Sequence, residues 1–209
     1  MSRRFAEIAF TPLVKEQQQL HGSRRQYARV EETGETGDRL GPFERDFIES
    51  RDGFYMASTS ETGWPYIQYR GGAKGFLRIL DDQTLGFADL RGNKQYISVG
   101  NLQHDNRVAL FFMDYAHQQR LKILGRATIH EGDPEAGKLA RELLPAGEKS
   151  VAERAVTIKI EAFDWNCPQH ITPRYTEEEL ATLLAPLRGR LEALEAENAS
   201  LRKLVESAD

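Results

Sequence analysis

Short β-prone runs follow one another closely through the middle of this chain and limit the folds that it can adopt. From residue 53 onward, runs rich in aromatic and β-branched residues are separated by turn signals such as Gly71-Gly72 and Asp81-Asp82. The predicted strands cover residues 54–59, 66–70, 75–80, 84–90, 107–115, 120–131 and 155–165. Short strands joined mostly by turns, with helices as insertions, favour an antiparallel sheet that closes on itself.

Helix signals lie around these strands. Thr11-Pro12 predicts a short helix that ends at Gly22, because threonine is a good N-cap and proline fits the first helical position. Further predicted helices cover residues 43–51, 94–103 and 135–144. Residues 22–42 are polar and rich in glycine and arginine, so we interpret them as an extended loop. The predicted fold class is mainly β (α+β), with peripheral helices.

A leucine repeat near the C-terminal end predicts a coiled coil. The repeat consists of Leu180, Leu184, Leu187, Leu191, Leu194, Asn198, Leu201 and Val205, with steps that alternate between four and three residues. Leucine fills every d position, and the one polar a position, Asn198, favours a parallel two-stranded coil. Thr176 with Glu179 has the spacing of a capping box at the start of the helix. The alternative is an amphipathic helix packed on its own domain, and Pro186 and Gly189 weaken the first heptads.

The charges beside this repeat agree with a parallel pair. Arg190 at a g position would face Glu195 at e of the partner chain, and Glu197 would face Arg202. We therefore prefer the coiled coil. The expected division is an N-terminal helical and loop extension over 1–52, a barrel over 53–175 and the C-terminal helix over 176–209.

Composition excludes several classes of protein. The chain has 28 basic and 32 acidic residues and a formal net charge of −4, so it lacks the broad positive field of a nucleic-acid-binding protein. The longest apolar run, Val108 to Met113, is too short to span a membrane, and no apolar signal core follows Met1. The single cysteine, Cys167, cannot form an internal disulfide. We expect a cytoplasmic protein that binds neither nucleic acid nor membrane.

The sequence offers no familiar hydrolytic or metal site. The five histidines show no metal-ligand spacing, and Gly-x-Ser-x-Gly, Walker and Gly-x-Gly-x-x-Gly motifs do not occur. Three clusters of cationic and amide side chains remain. They are Gln68 and Arg70 beside Gly71 and Gly72, Arg91 to Lys94 at a strand-to-helix junction with Asn93 as the predicted N-cap, and Arg120 with Lys122 on one strand face.

The second cluster, Arg91 to Lys94, is a candidate anion site. At a helix start the free amides and the helix dipole attract an anion, and Arg91 and Lys94 add two positive charges. Each cluster alone is more typical of a solvated surface. Together they are explained most simply as the surroundings of one phosphorylated ligand.

Three runs of sequence are similar to those of a known family: Gly-Phe-Ala-Asp-Leu-Arg-Gly-Asn-Lys-Gln-Tyr-Ile-Ser-Val-Gly-Asn-Leu (86–102), Asn-Arg-Val-Ala-Leu-Phe-Phe (106–112) and Arg-Leu-Lys-Ile-Leu-Gly-Arg-Ala (120–127). Through these runs, residues 53–131 resemble the pyridoxamine 5'-phosphate oxidase-like FMN-binding split-barrel superfamily. Residues 163–175 are similar to a segment of a flavin-nucleotide-binding branch of that superfamily. The resemblance implies an antiparallel split β-barrel, a homodimer and FMN at the interface between the two chains.

The resemblance also implies a set of cofactor-binding residues. Basic residues after the second and fourth strands would hold the FMN phosphate, and the isoalloxazine would lie against backbone near 68–72. The implied residues are Gln68, Tyr69, Arg70, Gly71, Gly72, Lys74, Asn93, Lys94, Ser98, Asn101, Arg120, Lys122, Trp165 and Arg174. Vitamin B6 oxidases end in a short segment with an arginine and a terminal proline, whereas this chain continues into the heptads, so the substrate stays open.

Our interpretation is an FMN-dependent oxidoreductase that acts on a small molecule and forms a homodimer through both the barrel and the coil. No catalytic acid or base is predicted. The alternatives are a flavin carrier or sensor without turnover, and a protein that binds another cofactor, such as a deazaflavin or haem, because fold likeness does not fix the chemistry.

Overall fold

The computed structural model describes residues 1–207, which form two compact units. The first unit consists of residues 1–114 and 118–169, and it holds the whole β-sheet. The second unit consists of residues 115–117 and the chain from residue 170 onward. The boundaries expected after residues 52 and 175 stay predictions.

Seven antiparallel strands form the sheet of the first unit. They are β1 (Gly53–Thr59), β2 (Pro65–Gly71), β3 (Arg78–Ile79), β4 (Thr84–Leu90), β5 (Arg107–Asp114), β6 (Gln119–His130) and β7 (Ala152–Trp165), in the spatial order β2-β1-β5-β6-β7-β4-β3. The two ends of this order, β2 and β3, are consecutive in the chain and are joined by only residues 72–77. The sheet must therefore curl so that its ends approach each other, and the predicted mixed fold with an antiparallel split barrel is confirmed.

Alternating side chains of the strands fill the inside of the curled sheet. Phe54 packs against the rings of Phe76, Phe87 and Phe112, with centroids 5.2–5.9 Å apart. These four rings come from three strands and from the segment that joins β2 to β3, and all are buried. Burial of such large apolar side chains stabilises the fold by about 1.5–3 kcal/mol each.

Six helices accompany the sheet in the first unit: α1 (Arg3–Ala9), α2 (Pro12–Leu20), α3 (Arg24–Thr33), α4 (Pro42–Glu49), α5 (Ile97–His104) and α6 (Pro134–Glu142). The predicted helices over 11–22, 43–51, 94–103 and 135–144 are confirmed as α2, α4, α5 and α6, with shifted ends. The loop expected over 22–42 is wrong in part, because residues 24–33 form α3. The predicted strand over 75–80 shortens to β3, since Phe76 and Leu77 turn into the core.

The second unit contains one long helix, α7 (Glu177–Glu206). Its capping box is formed as the sequence predicts, because the Thr176 hydroxyl accepts the Glu179 N–H and the Glu179 carboxylate accepts the Thr176 N–H. The helix continues through Pro186. Within residues 1–207, no helix is both long enough and apolar enough to cross a membrane.

Candidate functional site

A cavity of about 260 Å³ lies between β2, the end of β4 and the start of α5. Alternate residues of β2 face it: Tyr66, Gln68 and Arg70 are half-buried, whereas Ile67 and Tyr69 point to the exposed side of the strand. This is the alternation that the sequence predicts for Gln68 and Arg70. The first two sequence clusters therefore meet, because Asn93 and Lys94 line the same cavity.

The start of α5 supplies backbone donors to this cavity. Ile97, Ser98 and Val99 line it, and the N–H groups of a first helical turn have no partner within the helix. The residue before the helix is Tyr96, in a left-handed conformation with φ 52°, and it forms no side-chain cap. Asn93 is thus not the N-cap: its side chain accepts the N–H of Gln95, two residues along the preceding loop.

Two glycines of the site residues and their surroundings differ in the space around them: Gly92 lines the first cavity and is open, whereas Gly72 is crowded. A Cβ atom added at Gly92 would meet nothing within 4 Å. A Cβ added at Gly72, by contrast, would lie 2.9 Å from the Cβ of Phe76, so that glycine accommodates a core ring.

Arg70 is held beside the cavity by an ion-pair network around the buried residues Asp89 and Arg154. One oxygen of Asp89 accepts a hydrogen bond from Arg70 at 2.7 Å, and the other accepts one from Arg154 at 3.1 Å. Arg154 also donates to Glu131 at 2.8 Å, and its guanidinium lies 5.1 Å from the ring centroid of Tyr96. Arg154 of β7 therefore contacts both Asp89 of β4 and Tyr96, the residue before α5.

Arg154 stays charged in this network. Burial lowers the pKa of its guanidinium, but the carboxylates of Asp89 and Glu131 outweigh burial, and the pKa is raised above its usual value. Neither Asp89 nor Arg154 is among the site residues that the resemblance implies. No local sequence motif marks these two residues as a pair, because they lie 65 residues apart on two different strands, β4 and β7.

The cavity fits a phosphate group. The Nε of Arg70 is buried and has no hydrogen-bond partner among the described residues. Three cationic side chains, Arg70, Lys94 and Arg154, line the cavity against two acidic ones, Asp89 and Glu153. An anion that reaches the Arg70 guanidinium would satisfy this donor and gain the amides of α5 as well.

A second cavity, of about 150 Å³, adjoins the first at Arg70 and Asp89. It is lined by three more of the implied residues, Tyr69, Gly71 and Gly72. Seven implied residues therefore line one or the other cavity besides Arg70, which lines both: Gln68, Tyr69, Gly71, Gly72, Asn93, Lys94 and Ser98.

Lys74 lines neither cavity and is exposed on the segment 72–77. Arg91 is also outside, and its side chain donates to Glu153 at 3.2 Å. Of the implied cations, Arg70 and Lys94 line the cavity in this single chain, together with the start of α5.

The third cluster does not join the cavity. Lys122 forms an ion pair with Asp164 at 3.1 Å and lies over the ring of Phe5, while Arg120 is half-buried on β6. Asn101 is buried on α5 and donates to the hydroxyl of Ser58 at 3.0 Å. Its side chain fastens the helix to β1.

The last two implied residues also have other partners. Trp165 packs on Phe43 and Phe47 and donates its ring N–H to Glu44 at 2.8 Å. Arg174 belongs to the second unit, where its guanidinium lies 4.9 Å from the ring centroid of Tyr115.

The fold and the cavity define a class: an antiparallel split barrel with a cavity at a helix start. The chain belongs to the pyridoxamine 5'-phosphate oxidase family, whose sequence profile matches residues 40–166, more than half of the chain. No curated protein is significantly similar to it in sequence.

Solved structures share the fold at low sequence identity. HupZ from Group A Streptococcus is 17% identical, with a TM-score of 0.50, and the match covers 65% of this chain and 99% of that one. An FMN-binding protein from Syntrophomonas wolfei is 11% identical, with a TM-score of 0.44, and the match covers 71% of this chain and 97% of that one. At this identity the likeness to HupZ describes the fold alone, and no conclusion rests on the weaker likeness to the second protein.

Proposed function

We propose that this protein binds FMN and uses it as a flavin-dependent oxidoreductase on a small organic substrate. The observation that carries the proposal is the cavity at the start of α5, where Arg70, Lys94 and free backbone donors converge. Membership of the pyridoxamine 5'-phosphate oxidase family supports the choice of a flavin.

The phosphate of FMN would sit between Arg70 and the first turn of α5. Asp89 holds the Arg70 guanidinium in place, so little side-chain entropy is lost when a ligand binds. The Nε of Arg70 then gains the partner that it lacks, and Lys94 adds a second cation.

The flavin ring would need a second copy of the chain to cover it. The cavity of about 260 Å³ is smaller than the ~300–1,000 Å³ of sites that enclose a drug-sized ligand. Beside it, β2 is an edge strand whose outer face exposes Ile67 and Tyr69, and Trp64 just before the strand is 75% exposed. A second copy that packs on this apolar face would reach the second cavity, which Tyr69 lines, and would extend the site from there.

The cofactor would supply hydride or electron transfer at the flavin N5. The residues of this chain would orient the ring, exclude water from it and balance the phosphate charge. The barrel provides a rigid support for this task, because the residues on β2 are fixed in register to β1 over seven pairs, from Gly53 opposite Gly71 to Thr59 opposite Pro65.

A comparison of FMN with riboflavin tests the binding site. Riboflavin lacks the phosphate, so we expect it to bind at least about 100-fold more weakly than FMN, the loss of two charge-assisted hydrogen bonds. Quenching of flavin fluorescence in an equilibrium titration measures both dissociation constants. Equal affinities would place the binding energy elsewhere and overturn the phosphate assignment.

The visible spectrum of the FMN-loaded protein tests the redox function. We expect the yellow colour to bleach when a reduced nicotinamide nucleotide is added without oxygen, and to return when air is admitted. Colour that persists with each of the two common reduced nicotinamide nucleotides would contradict a nicotinamide-linked oxidoreductase and favour a carrier.

A further inference from the structure

The surface of α7 is an interaction surface that the single chain leaves open. Leu187, Leu191, Leu194 and Leu201, which all lie on the leucine repeat, are between 43% and 68% exposed. We propose that α7 pairs with α7 of a second copy of this chain as a parallel, in-register coiled coil. This inference does not depend on the flavin.

The hydrophobic seam is long enough for such a pair. The a and d positions run from Leu180 to Val205, close to four heptads, within a continuous helix from Glu177 to Glu206. Pro186 and Gly189 occupy c and f positions, away from the seam. A partner helix would cover the side chains that α7 now exposes to water, and this burial of leucine favours the pair.

The flanking charges fit a second copy of the same helix. In a parallel pair, Arg190 at g lies near Glu195 at e of the other helix, and Glu197 at g lies near Arg202. The opposite orientation also offers attraction, because it brings Arg190 towards Glu197. The charges therefore favour self-pairing but do not set its direction.

Asn198 sets the direction. In the parallel arrangement this a position meets itself, and the two amides can hydrogen-bond to each other inside the seam. In the antiparallel arrangement with matched leucines, Asn198 would face Leu187 and its amide would be buried without a partner. The antiparallel pair would bury two such unpaired amides, one from each helix, and would therefore be less stable than the parallel pair.

Disulfide cross-linking in the full chain tests the direction and register. In a Cys167→Ser background, which removes the exposed native thiol, Leu201→Cys places a cysteine at a d position where two parallel helices meet. We expect a dimer band on a non-reducing gel under mild oxidation. Ala196→Cys, at the outward f position of the same helix, is the matched control and should cross-link about tenfold less.

Other cross-links would overturn the proposal. Equal cross-linking of the two variants would indicate random collision between chains. Cross-links that form only when Leu201→Cys is mixed with Leu184→Cys would indicate the antiparallel pair, in which these two leucines face each other.

Charge reversal gives an independent test of the same pair. In the Leu201→Cys chain, Glu197→Arg should lower cross-linking about fivefold, since the new guanidinium would repel Arg202 of the other helix on both sides of the seam. Adding Arg202→Glu should restore it. Failure of this second change to restore cross-linking would contradict the parallel arrangement, because only there do positions 197 and 202 face each other.

Discussion

Arg70 shows how one side chain can serve both the fold and a ligand. Its guanidinium donates to Asp89 and lies 5.9 Å from the ring centroid of Phe87, yet its buried Nε has no partner among residues 1–207. The buried Nε atoms of Arg51 and Arg120 also lack a partner, but neither residue lines the cavity. The unpaired donor together with its place in the cavity makes Arg70 a binding residue in our interpretation.

Lys94→Ala tests the other cation of the proposed site. We expect FMN affinity to fall by about 1–3 kcal/mol, the worth of one charge-assisted hydrogen bond, without a change in thermal stability. Flavin fluorescence titration and a melting curve measure the two effects. Lys138→Ala, an exposed lysine on α6, is the matched control and should leave affinity unchanged. Equal affinity of the two variants would remove Lys94 from the site.

Asn101→Ala should lower the stability of the fold and not the affinity for FMN. The variant leaves the buried hydroxyl of Ser58 without its donor, so we expect the free energy of unfolding to fall by about 1–3 kcal/mol. Chemical denaturation measures the loss. A variant of native stability that had lost FMN affinity would show instead that Asn101 contacts the ligand.

The sequence predicted some of these residues and missed others for a physical reason. Strand alternation was enough to put Gln68 and Arg70 on one face, because the two lie on the same strand. Asp89 and Arg154 meet only after β4 has paired with β7, so no local pattern marks them. Lys122 lies on the same strand as Arg120, but the single chain turns it towards Asp164 instead of the cavity.

At the scale of elements, α3 and α5 show where local signals fail. No residue of α3 is buried, and the helix contacts the preceding segment through the ion pair of Glu31 with Lys15 and the ring contact of Tyr27 with Phe10. Its sequence is strongly polar, which is why the sequence alone predicts a loop. The ion pairs of Glu31 with Lys15 and Arg24 lower the pKa of Glu31. The start of α5 shifts from residue 94 to 97, since Lys94 and Tyr96 both have positive φ.

The helix α7 could be predicted from the sequence because its heptad pattern is long and regular. We predict that Asn198→Leu raises the thermal stability of the coil and loosens its choice of direction, since the buried amide exchanges stability for specificity. The cross-linking assay measures the direction: the mixed Leu201→Cys and Leu184→Cys chains should now react with each other. Unchanged selectivity would show that Asn198 does not specify the pair.

At the scale of the whole molecule, the chain has two proposed sources of dimerisation. If the exposed face of β2 forms the interface around the flavin, a chain that ends at Tyr175 should remain a dimer and bind FMN with unchanged affinity. Light scattering coupled to gel filtration measures the mass. A flavin-loaded monomer would contradict the proposed interface, and it would leave the coil as the only link between chains.

A crystal structure of the full chain with FMN would locate the phosphate and the ring together. We expect the phosphate within about 3 Å of the Arg70 guanidinium and of amides in the first turn of α5, with the ring covered by a second chain. A phosphate bound elsewhere, for instance at Arg120 and Lys122, or a flavin ring held by one chain alone, would contradict the proposed site.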